Sequence, residues 1–140
     1  MKRKKSKEQL MKEKLDAKWS KVVRARDKQC LMCDNKTNLH AHHVVKTKAR
    51  GASVRWLLKN GITLCYDCHL NKYHGTQADA MWHEKYLSKV YEKLPRFLWD
   101  KIVRLANKPF KFNKAIYERY DEWLDKRLER IGGSNEENQD

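Results

Sequence analysis

Two cysteine pairs constrain this chain more than any other feature. Cys30-x-x-Cys33 and Cys65-x-x-Cys68 stand 31 residues apart. Each pair can grip one metal ion from a tight turn, and two pairs complete a tetrahedral shell of four sulfurs. Four thiolates saturate zinc and leave no open position, so the spacing predicts a structural Zn²⁺ site holding together a small domain. The same spacing occurs in zinc ribbons of unrelated function, so by itself it names no activity.

Charge narrows the class of partner. The 140 residues carry 32 Lys and Arg against 18 Asp and Glu, a formal net charge of +14. Such a field favours encounter with a phosphate backbone and makes affinity sensitive to salt. DNA, duplex or branched, is the expected partner. No apolar run approaches the ~20 residues of a membrane span. The basic start, Met1 to Lys7, leads into charged residues rather than an apolar signal core. No membrane association is expected, and a reducing cytoplasm is the expected compartment, where paired cysteines are metal ligands rather than disulfides.

The chain reads as four stretches. Residues 1–27 form a basic arm and a helix from about Glu8 to Arg26, with Leu15, Trp19, Val22 and Val23 on one face. Residues 28–75 hold all four cysteines and five of the six histidines. Within them, 39–45 is β-prone, 46–59 is a basic loop, Gly61 to Leu64 supplies a second strand, and a short helix runs from Cys68 to a stop at Gly75. Residues 76–131 are helical. Thr76 with Asp79 resembles a capping box, and Trp82, Tyr86, Val90, Tyr91 and Leu94 make a stripe. Pro95 starts a segment carrying Phe97, Leu98, Ile102 and Leu105, and Pro109 closes it. Asn113 caps a last helix bearing Ile116, Tyr120, Trp123, Leu124, Leu128 and Ile131. Gly132-Gly133 stop that helix, and 132–140 is expected to be a disordered tail.

The histidines sit where the cysteine clamp would collect them. His42 and His43 follow Cys33 by nine and ten residues, Asn60 precedes Cys65 by five, and His69 follows Cys68 directly. Clamping both pairs on one zinc brings the strand with His42-His43 next to the helix with His69. Phosphodiester hydrolysis needs a cation to polarise the phosphoryl group, a base to take a proton from water, and something to fix the base. Imidazole suits the base. Adjacent strand residues point to opposite sides, so His42 and His43 divide into one ligand and one base.

The strings HAHHVV (40–45) and RWLLKNGITLCYDCHLNKYH (55–74) resemble the HNH, or ββα-metal, endonucleases, especially the small four-cysteine forms common in phages and mobile elements. The resemblance covers 28–75 and extends weakly to WSKVVRARD (19–27). It implies an α+β fold: a ββα-metal nuclease core stapled by the zinc site, with an N-terminal helix and a C-terminal helical extension. It also implies that His42 and His69 ligate a catalytic divalent cation (Mg²⁺, Mn²⁺ or Ni²⁺), that His43 is the general base, and that Asn60 orients hairpin and base. His42 stands where relatives often carry Asp, which shifts preference from Mg²⁺ toward softer ions. The implied reaction leaves 5′-phosphate and 3′-hydroxyl ends in DNA. Phosphate contacts are expected from Lys46, Lys48, Arg50, Arg55 and Lys72, and His74 is expected either to contact phosphate or to join the metal shell. His40 is expected to be structural or solvent-facing. A monomer would nick, and a homodimer could cut both strands. The competing reading is a non-catalytic zinc-ribbon DNA-binding module, which accounts for charge and cysteines but not for His43, Asn60 and His69 together.

Overall fold

The computed structural model describes residues 1–46, 54–109, 111 and 113–137. The element order is α1 (Lys7–Asp27), β1 (Leu39–His43), β2 (Gly61–Cys65), α2 (Ala80–Lys93), α3 (Arg96–Ala106) and α4 (Lys114–Glu137). A single turn of 3₁₀ helix, Leu58–Asn60, leads into β2, and a short π-helical segment, Asp67–Tyr73, follows it. This is an α+β chain with a two-stranded antiparallel sheet. None of the described helices is long and apolar enough to cross a membrane.

The chain divides into two compact units, Met1–Val22 with Lys111–Asp140, and Val23–Phe110. The first is helical. Ser6 Oγ accepts from the Gln9 N–H and Gln9 Oε1 accepts from the Ser6 N–H, a reciprocal cap that starts α1. The Lys18 ammonium bridges Asp121 and Asp125 at 2.6 Å each, and the Tyr117 hydroxyl donates to Glu8 at 2.7 Å. Leu15 and Trp19 are buried as the helical stripe requires. Asn113 caps α4 through the Ile116 N–H, as its position predicts. The glycines do not end α4: it continues through Gly132-Gly133 to Glu137.

The second unit is built on β1 and β2. The register pairs Leu39 with Cys65, Ala41 with Thr63, and His43 with Gly61. All five residues of β2 are buried, so this strand lies inside the unit rather than on its surface. Its one hydroxyl is satisfied: Thr63 Oγ1 donates to Asp27 and to the Val23 carbonyl in the last turn of α1. The Arg26 guanidinium donates to the Leu58 and Gly61 carbonyls, which fixes the turn into β2. Trp56, only 1% exposed, is a core residue.

The core around the cysteines also takes in the helices beyond residue 75. Tyr86, Val90 and Leu94 of α2 and Ile102 and Ala106 of α3 cluster with Cys30, Cys68, Ile62 and Leu64. The start of α2 differs from the sequence expectation. Asp79, not Thr76, is its N-cap, with its carboxylate accepting from Trp82 N–H at 2.8 Å. An aspartate that can take the cap itself displaces the hydroxyl three residues earlier. Pro95 sits at the N-cap of α3. Tyr91, Phe97, Leu105 and Trp123, expected within apolar stripes, are exposed, while Tyr117 is buried.

Candidate metal centre

Sulfur geometry comes first. Cys30, Cys33, Cys65 and Cys68 place their sulfurs within 4.8 Å of one another, with Cys33 and Cys65 at 3.6 Å. A tetrahedral Zn–S bond of about 2.3 Å puts sulfurs about 3.8 Å apart, so the quartet fits such an ion. The knuckle at the first pair is shaped by the backbone. The Asp34 N–H donates to the Cys30 carbonyl and the Cys30 N–H to the Asn35 carbonyl. Asp34 itself adopts φ 60°, a conformation that Asp tolerates better than most residues. The Met32 N–H donates to Cys30 Sγ at 3.4 Å. Burial raises the Cys30 thiol, but backbone hydrogen bonds at Cys65, Cys33 and Met32 outweigh it and hold this thiol low. Burial pushes the Cys68 thiol up.

The second cluster is made of histidines. His42, His69 and His74 also bring ring nitrogens within 4.8 Å of one another. His42 reaches the cluster from β1, His69 from the π-helical segment, and His74 from the residue that caps that segment. The His74 N–H donates to the His69 carbonyl at 3.0 Å, a five-residue hydrogen bond. This wider winding returns residue 74 to the face of residue 69, where an ordinary 3.6-residue turn would carry it well round the axis. Gly75 makes the segment's end feasible, since a Cβ there would stand 2.3 Å from the Asn71 carbonyl oxygen.

His42 is 5% exposed, and its Nε2 has no hydrogen-bond partner among the described residues. A buried polar atom left this way is costly unless something binds it. Burial, then the imidazoles of His69, His74 and His43, pushes His42 down to about 3. Burial, then His74 and His40, takes His69 down to about 4. Both rings are therefore neutral near pH 7 and keep a lone pair, the state that metal ligation requires. Three convergent imidazoles and an unpartnered buried nitrogen fit a divalent cation.

His43 stands outside the cluster but lines the same cavity of about 400 Å³, together with Ala41, Lys46 and Tyr73. Its Nε2 lies 2.8 Å from the Arg55 carbonyl. A carbonyl can only accept, so Nε2 carries the proton and Nδ1 is the basic nitrogen of the neutral ring.

Asn60 is fully buried. Its Oδ1 accepts from the Val45 N–H at 2.7 Å, and its Nδ2 donates to the Val45 carbonyl at 3.1 Å and the Val54 carbonyl at 3.2 Å. The side chain thus ties the chain just after His43 to the chain just before Arg55, the two ends that meet at the His43 hydrogen bond.

Residues 30–75 match the HNH endonuclease family. The matched segment covers about a third of the chain and contains both the cysteine and the histidine cluster. No curated protein and no solved structure gives a match.

Of the basic residues named from the sequence, Lys46, Arg55 and Lys72 fall among the described residues. Lys46 lines the cavity. Lys72 pairs loosely with Asp67 at 3.8 Å, and the Arg55 guanidinium lies over the Trp56 ring. Lys48 and Arg50 lie outside the described residues. His74, expected either at a phosphate or in the metal shell, lies with His42 and His69. Sequence reasoning missed the aromatic wall: Tyr73 stands 4.2 Å from His42, ring to ring, and packs on Tyr86 of α2, which stacks on Trp82. The spacing of Trp82, Tyr86 and Val90 signals a buried face, but not what that face covers.

Proposed function

We propose that this chain is a metal-dependent DNA endonuclease that hydrolyses a phosphodiester bond to 5′-phosphate and 3′-hydroxyl ends. The observation that carries the reading is the convergence of His42, His69 and His74 beside His43 in one cavity of an HNH segment. In this reading the four cysteines hold structural Zn²⁺, and the three histidines hold a catalytic divalent cation. Bound there, the cation supplies positive charge for the phosphoryl oxygen and the leaving 3′ oxygen.

The protein's own groups do the rest. His43 Nδ1 takes the proton from the attacking water. The bond from Nε2–H to the Arg55 carbonyl holds the ring in the tautomer that can do so. Asn60 acts at one remove, by fixing the two backbone segments that meet at that bond. Lys46 binds phosphate at the mouth of the cavity, and the net charge of +14 draws the duplex in. An all-imidazole set favours Mn²⁺, Co²⁺ or Ni²⁺ over Mg²⁺. One active site per chain nicks a duplex.

The test is purified protein on supercoiled plasmid, with EDTA, Mg²⁺, Mn²⁺ or Ni²⁺ in turn. Metal-dependent conversion to open circle is expected. Salt-sensitive binding without cleavage of plasmid, junction or flap substrates under any metal refutes the nuclease and leaves a zinc-ribbon binding module.

A further inference from the structure

His40 belongs to none of the groups given a role above, yet it touches one of them. It lies two residues before His42 on β1, so the two side chains leave the strand on the same face. On that face His40 Nδ1 lies 3.0 Å from His69 Nδ1, with the rings nearly perpendicular at 86°. Two lone pairs, or two N–H groups, would repel at this distance. One nitrogen must donate and the other accept.

The two arrangements differ in what they leave at the histidine cluster. If His40 donates, the neutral His69 ring carries its own proton on Nε2, and neither nitrogen of His69 is left to ligate. If His69 donates, its Nε2 keeps a lone pair. Only the second arrangement makes His69 a ligand. We propose that His40 is a positioning residue: its Nδ1 accepts the His69 Nδ1–H, fixing the His69 tautomer and turning Nε2 toward His42 and His74. A backbone carbonyl or carboxylate usually fills this place beside a ligating histidine. Here a second histidine does so. The Tyr66 ring also meets His40 nearly at right angles, with centroids 5.8 Å apart.

The inference rests on reading His42, His69 and His74 as a metal site, and its test separates the two. The full chain, with zinc in the cysteine site, is titrated with Co²⁺ while the visible absorbance of nitrogen-bound cobalt is followed. His40→Leu removes the acceptor. His40→Asn keeps one, because Asn Oδ1 occupies nearly the place of His Nδ1. Cobalt affinity should fall roughly 10–100-fold in the leucine variant and return to within a few-fold of wild type in the asparagine variant, with zinc content and melting temperature unchanged in both. Equal affinity in wild type and His40→Leu overturns the proposal, as does an asparagine variant as weak as the leucine one. A wild type that binds no cobalt outside the cysteines removes the site itself, and the role of His40 with it. Long-range ¹H–¹⁵N spectra of the wild type without cobalt give an answer that needs no variant. A proton on His69 Nδ1 is expected, and a proton on Nε2 contradicts the proposal.

Discussion

Asn60 Nδ2 donates to the carbonyls of both Val45 and Val54, at 3.1 and 3.2 Å, so a single buried amide closes the loop whose ends carry His43 and Arg55. Asn60→Ala leaves the buried Val54 carbonyl and the part-buried Val45 carbonyl and N–H without their partner. Unsatisfied groups of this kind cost about 1–3 kcal/mol each. The expected result is a melting temperature several degrees lower and a slower cleavage rate, because the Arg55 carbonyl no longer stays under His43. Differential scanning calorimetry and single-turnover cleavage measure the two effects. An alanine variant with unchanged stability contradicts this account of Asn60.

The cysteine site should behave as part of the fold. Cys30 is fully buried and Cys68 is 1% exposed, in the same cluster as Ile62, Leu64, Tyr86 and Val90. Because binding energy at a structural zinc site is folding energy, Cys30→Ala should lose zinc and its cooperative melting transition. A strong chelator should do the same to wild type. Zinc content by elemental analysis and melting by circular dichroism check both. A Cys30→Ala protein that melts like wild type removes the staple.

A third prediction concerns the helical unit of Met1–Val22 with Lys111–Asp140. Partial burial raises the Asp121 carboxyl, but hydrogen bonds from Lys18 and Lys14 outweigh it and hold the group below its ordinary range. Burial lowers Lys18, and Asp121 and Asp125 outweigh that to raise it. A lowered acid stabilises the fold above its unfolded pKa, and that contribution is lost as pH falls through the carboxylate range. A raised lysine stabilises below its unfolded pKa, and that contribution is lost as pH climbs above it. The network is therefore intact throughout the neutral range and weakens at both extremes. Because the groups are partly exposed, Asp121→Asn should cost only about 0.5–1 kcal/mol at pH 7. The difference from wild type should shrink in acid. Denaturant melts at pH 7 and pH 3 measure it, and a constant difference contradicts the assignment.

Much of this was legible in the sequence because spacing and periodicity carried it. The Cys-x-x-Cys pairs imply one four-sulfur site, and that clamp alone places His42 near His69. Leu15, Trp19, Val22 and Val23 announce a buried helical face, and all four are buried. What the sequence did not reveal depends on departures from regular geometry. His74 joins His69 only because the segment between them is wound with a five-residue hydrogen bond, which spacing on a 3.6-residue helix argues against. The Tyr73–Tyr86 wall needs two distant segments to meet, and no local pattern encodes that. Asp79 rather than Thr76 is the cap because the helix starts at Ala80, where the Asp79 carboxylate reaches the Trp82 N–H. Phe97 sits in an apolar stripe yet is 70% exposed, since a stripe states which residues can be buried and not how wide the partner surface is. His40 was unreadable for the simplest reason: alternation puts it on the face of His42, but only the position of the His69 ring gives that face a purpose.

The central claim is that His43 is the base beside a histidine-held cation. The most direct test compares wild type and His43→Ala in single-turnover cleavage of supercoiled plasmid at saturating Mn²⁺, with DNA affinity, zinc content and Co²⁺ affinity measured on the same preparations. Loss of a positioned base should slow cleavage roughly 10²–10⁴-fold while the binding measurements stay near wild type. A His43→Ala protein that cleaves at the wild-type rate contradicts the account.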